Sequence, residues 1–146
     1  MNEPESFRPI SRPSDEEYSV SGLAYSRLIP AGVNILQLLY DNFFFLKELL
    51  LGCTDEQLLF DQDNYVFYSN ANQRTLLNIF DEYVAVRMAT LRLFNNLPED
   101  ALLRKGYADH SRVSVRALVY HIAGHELHHL EILKGRYDIA PPSGDQ

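Results

Sequence analysis

Four of the chain's five histidines fall within nine residues, in the run Tyr120-His121-Ile-Ala-Gly-His125-Glu126-Leu-His128-His129. With Leu118 as origin and about 100° per residue, His125 and His129 lie within about 20° of it, among Val115, Ile122 and Leu133. His121 and His128 lie on the shoulder of that stripe, about 60–80° away. The pattern predicts that His125 and His129 point inward, one helical turn apart, the HxxxH arrangement that lets two imidazoles reach one metal ion. A neutral imidazole carries one donor and one acceptor, so burying two of them unsatisfied is costly, and a divalent cation partners both. The competing expectation is that each ring bonds a core hydroxyl or backbone group. His121 and His128 are expected beside the ligands or at the surface.

Glu126 follows the first histidine of the pair, as the glutamate does in the HExxH of zinc proteases. It falls about 80° from Leu118, on the flank, which makes a general-base role weak. Arg87 stands out on another helical pattern, because its wheel position is shared with Phe80, Val84 and Leu91. A buried arginine must be paired, and Glu126, Glu82 or a bound anion could serve, with a structural ion pair favoured. There is no GxSxG elbow, no glycine-rich phosphate loop and no CxxC pair. Cys53 is expected to be a packed thiol, and Asp61 and Asp63 turn formers. The residues alone assign no catalytic group.

Three long helices must position these groups. The first is expected from about Gly32 to Leu51, so rich in leucine and phenylalanine that it is central or meets another subunit. It is followed by Gly52 as a C-cap and by Thr54-Asp-Glu-Gln57 in capping-box form. The second is expected from about Arg74 to Asn96, stopping before Pro98, with a short turn over Pro98-Glu-Asp-Ala-Leu102. The third runs from Val115 to about Tyr137, capped by Ser114. Four prolines within the first 30 residues oppose a helix there and predict an irregular arm. No alternating run of strand type is present. The expectation is an all-α domain over residues 31–138, preceded by an arm over 1–30 and followed by a flexible tail over 139–146.

A chain of 146 residues can bury a true core, so neither disulfide nor metal is needed merely to fold. A net charge of −7 argues against nucleic acid or an anionic membrane as partner. The lone cysteine, the absence of a signal-like N-terminus and the absence of a long apolar run point to the cytoplasm.

Phe80-Asp-Glu-Tyr-Val-Ala-Val-Arg-Met-Ala-Thr-Leu91, Leu97-Pro-Glu-Asp-Ala-Leu102, Ser114-Val-Arg-Ala-Leu118 and Ile122-Ala-Gly-His-Glu-Leu-His-His129 together resemble the DinB-like (DinB/YfiT) superfamily. Asp61-Gln-Asp-Asn-Tyr-Val66 and Ser69-Asn-Ala-Asn72 resemble the stretch that leads into that family's third helix. The resemblance covers residues 54–137 and, more loosely, the first helix. It implies an up-down four-helix bundle, often dimeric, in which three histidines hold a divalent metal, nickel or zinc. Two of those histidines match His125 and His129. Relatives include transferases and isomerases that use a low-molecular-weight thiol as cosubstrate, and others described as metal-dependent hydrolases. The chain departs from the pattern where Leu58-Leu-Phe60 runs straight into Asp61, because the segment bearing a tryptophan and the first ligand histidine is missing there. A third ligand would have to come from His110, Asp61, Asp63 or a second subunit. The expectation is therefore a metal-dependent thiol transferase or hydrolase acting on a small molecule, as a homodimer, with His125 and His129 as ligands. The alternative is a non-catalytic helical binding or dimerisation module with a degenerate site.

Overall fold

A computed structural model describes residues 6–51, 73–108 and 110–137. Among them are a 3-10 turn (Asp15–Glu17), helices α1 (Val20–Ser26), α2 (Ile35–Leu51), α3 (Leu76–Asn96), α4 (Glu99–Leu103) and α5 (Val115–Tyr137), and a hairpin of β1 (Lys105–Ala108) and β2 (Ser111–Ser114). The all-α expectation holds, and the three long helices lie where the apolar periodicity puts them. Gly52, the Thr54–Gln57 capping box, Cys53, Asp61 and Asp63, and the tail from 138 onward, lie outside the described residues.

The helix starts follow local chemistry. Gly32 turns the chain at φ 77°, a conformation that favours glycine, and Asn34 Oδ1 then accepts from Leu36 N at 3.0 Å to open α2. The Thr75 side chain accepts from Asn78 N at 3.2 Å to open α3, and Ser114 Oγ accepts from Ala117 N at 3.2 Å to open α5. The core joins Ile35, Leu36 and Leu39 of α2, Leu91 and Phe94 of α3, Leu102 of α4, and Ala117, Val119, Tyr120 and Ala123 of α5. Each fully buried leucine or isoleucine there contributes about 1.5–3 kcal/mol.

Two expectations need correction. The first is the irregular arm. Residues 6–14 are irregular, as their prolines require, but the chain then forms the 3-10 turn and α1, whose Ser19 side chain accepts from Gly22 N at 3.1 Å. Phe7, Ile10, Tyr18 and Ile29 join the main core instead of lying across a surface. A proline-broken backbone cannot satisfy its polar groups in a helix, so side chains from elsewhere do it. Asn34 Nδ2 donates to Phe7 O at 2.9 Å, Tyr120 OH to Ile10 O at 3.0 Å, and Arg8 N donates to Asn95 Oδ1 at 3.0 Å. The second correction is the hairpin, whose register pairs Lys105 with Ser114 and Ala108 with Ser111. Strands of four residues are too short to show an alternating pattern, and the turn places His110 at φ 59°.

Candidate metal centre on the last helix

α5 buries a face other than the one its leucines suggest. Val119 and Ala123 are fully buried, whereas Leu118 and Ile122 are 41% and 37% exposed. The stripe expected to face inward is thus the face of the helix that the described residues leave open, and the histidines on it are not in the core: His125 is half-buried and His129 exposed. The wheel located the stripe correctly but not its direction, because α2 packs on another side, where Phe45 and Leu46 meet Leu130, and α3 reaches α5 through Arg87 and Tyr83 at Glu126.

Gly124 sets the other boundary. A Cβ there would collide with the backbone carbonyl of Tyr25, so the absent side chain lets α1 lie directly on α5. Tyr25 is thereby inserted among the histidines. Its ring stacks on His125 at 4.7 Å between centroids and 21° between planes, meets His121 edge-on at 5.4 Å, and contacts His128 at 5.5 Å. His121 and His128, expected outside the ligand set, form this half-buried wall. Sequence reasoning missed Tyr25 because it was assigned to the arm; the Ser19 cap followed by Leu23 and Ser26, a turn apart, is the signal that would have revealed α1.

On the open side, His125 Nε2 and His129 Nε2 face each other at 2.9 Å. Two ligand nitrogens held at ~2.0–2.1 Å from a cation lie about 2.9–3.4 Å apart as their angle opens from square to tetrahedral. The pair therefore fits two positions of a divalent ion's coordination sphere. Partial burial and the neighbouring imidazoles His125 and His128 hold His129 below the ordinary histidine pKa, and burial and His125 do the same for His121. The neutral form thus favoured is the form that binds metal. Among the described residues no group of three histidine, cysteine, aspartate or glutamate side chains is set to hold an ion. His110 sits in the hairpin before α5, and the rise from Val115 to His125 is about 15 Å, so it does not complete the site.

Glu126, on the flank, has a different role. Arg87 of α3 and Tyr83 both bind its Oε1, and Asn42 Nδ2 donates to its Oε2 at 3.3 Å. The Arg87 and Glu126 side chains are 6% and 9% exposed. The paired, structural arginine expected from sequence is borne out with Glu126 as its partner, while Glu82 pairs with Arg74 at 2.5 Å instead. Burial first, and then the Glu126 carboxylate, push the Tyr83 phenol well above its usual pKa, so it stays a hydrogen-bond donor. Beside His121 a cavity of about 210 Å³ is lined by residues that include Tyr18, Ser19, Ser21, Gly22 and Leu118.

Fold and site together define a helical bundle with a histidine cluster on its last helix. Residues 68–133 match the model of the DinB superfamily, to which that stretch is similar. No curated protein matches the chain, and no solved structure does. Among the described residues no helix is long and apolar enough to cross a membrane.

Proposed function

We propose that this chain binds a divalent metal, zinc or nickel, through His125 and His129, and uses it in thiol transfer to, or hydrolysis of, a small molecule. The observation that carries the reading is the 2.9 Å approach of the His125 and His129 ring nitrogens; burial and then its imidazole neighbours favour the neutral, ligating form of His129. A bound divalent cation would supply Lewis acidity, which brings a thiol or water near neutrality.

The chain's own residues do the rest. Tyr25 stacks on His125 and fixes its ring plane. The Arg87, Tyr83 and Asn42 contacts commit Glu126 to the interior and leave it no part in proton transfer. The reading is tested by elemental analysis of untagged protein purified without chelator or nickel resin. Zinc or nickel should be retained, and lost from His125→Ala and His129→Ala with the helical circular dichroism unchanged. Folded wild-type protein free of metal would overturn it.

A second reading, a non-catalytic binding module, draws on one observation: the described residues offer only two ligands, whereas catalytic zinc generally has three. That module would keep its fold and oligomeric state in chelator and show no thiol-transferase or hydrolase activity with metal added.

A further inference from the structure

The hairpin carries a charge opposite to that of the chain as a whole. Residues 104–114 hold Arg104, Lys105 and Arg112 against the single acid Asp109, in a protein of net charge −7. Arg104 is answered by Asp100 at 2.9 Å. Among the described residues Lys105 and Arg112 have no ion pair, and both are exposed. Tyr107, paired with Arg112 across the ribbon, is 81% exposed. Side chains two apart in a strand point the same way, so Lys105 and Tyr107 share one face of β1, and Arg112 stands on that face beside Tyr107.

The backbone of β1 is open as well. Val115 N donates to Arg104 O at 2.9 Å, next to the Lys105–Ser114 pair. Bonded and non-bonded pairs alternate along an antiparallel ladder, so Gly106 and Ala108 turn their N–H and C=O groups to β2, while Lys105 and Tyr107 turn theirs outward. Among the described residues those outward groups have no backbone partner. β2 lies against the 3-10 turn, which leaves β1 as the ribbon's open edge. A Cβ on Gly106 would meet nothing within 4 Å, so the other face of β1 also has room for a neighbouring strand's side chain.

We propose that β1 is a docking edge for an acidic, extended segment of a partner protein, which adds to the ribbon as a third strand. Main-chain bonds to Lys105 and Tyr107 supply the pairing, and carboxylates beside Lys105 and Arg112 select the partner. A second copy of this chain does not suit the edge, because joining β1 to β1 brings two basic faces together.

The test uses the full chain and two fluorescein-labelled peptides of about eight residues, one alternating glutamate with threonine and one lysine with threonine. Binding is followed by fluorescence anisotropy and by amide exchange in NMR spectra. The glutamate peptide should bind saturably, less tightly as salt rises, and should slow exchange of the Lys105 and Tyr107 amides; the lysine peptide should not bind. Lys105→Glu combined with Arg112→Glu should weaken binding at least about tenfold with the helical circular dichroism unchanged. Tyr107→Pro removes an outward N–H and no bond to β2, so it should abolish binding, whereas Tyr107→Thr keeps that N–H and should retain most of it. Equal binding by these two variants would overturn strand addition. Failure of the glutamate peptide to bind, or binding indifferent to charge reversal, would overturn it too. So would Lys105 and Tyr107 amides already protected without peptide, since the chain would then cover its own edge. Tighter binding of an oligothymidylate, unaffected by Tyr107→Pro, would assign the face to single-stranded nucleic acid and overturn the peptide.

Discussion

His125 and Glu126 are neighbours in the chain, yet the fold treats them in opposite ways. Glu126 is sealed against Arg87, Tyr83 and Asn42 between three helices, while His125 opens with His129 onto the side of α5 that the described residues leave open. The first pair is polar chemistry spent on holding α2, α3 and α5 together. In the second, the two ring nitrogens face only each other across the open side. Polarity inside a helical bundle therefore does not by itself mark function; Glu126, whose oxygens are engaged by Arg87, Tyr83 and Asn42, is structural, and an accessible pair of imidazole nitrogens 2.9 Å apart is where a ligand gains most.

The largest effect should come from breaking the sealed pair. Arg87→Met leaves the Glu126 carboxylate buried without its countercharge and should cost about 3–5 kcal/mol in urea unfolding. The double variant Arg87→Met with Glu126→Leu should recover much of that loss, because it removes the orphaned charge as well as the pair. If the single variant costs less than a surface substitution, the structural reading of Glu126 fails.

A second buried pair sharpens the contrast through pH. Hydrogen bonding to Arg116, the largest influence, holds the Glu17 carboxyl at about 2, against an ordinary value of 4.5. A carboxyl depressed on folding contributes stability that is present in full above its unfolded pKa and is lost as pH falls through the folded one. Stability should therefore decline from about pH 5 toward pH 2, and Glu17→Gln should flatten part of that slope in acid titrations followed by circular dichroism. The smallest effect belongs to the open pair: His125→Ala in metal-free protein should shift stability by no more than about 0.5 kcal/mol. A larger loss would mean that the imidazole holds α1 in place through Tyr25, and that the two pairs differ less than their exposure suggests.

Much of this was legible in the residues. The long helices and the short α4 follow from periodicity, Pro98 and the Ser114 cap. The wheel position of Arg87 required a buried partner and offered Glu126 as one. The HxxxH spacing brought two imidazoles together, and the structure sets them 2.9 Å apart. The four prolines misled in one respect: they exclude a long helix but not a seven-residue one, and the burial of Phe7 and Ile10 depends on side chains as distant in sequence as Asn95 and Tyr120.

By itself the sequence determined which residues lie on the same stripe of α5, because helical geometry fixes angular separation whatever surrounds the helix. Which stripe faces the core was decided only by the tertiary structure. Gly124 admits the Tyr25 backbone where any side chain would exclude it, and Glu126 draws α3 and α2 onto its own flank. Those two contacts rotate Leu118, Ile122, His125 and His129 toward the side that the described residues leave open. The direction of the stripe is a property of three helices packed together, and a single helix's spacing carries no record of it.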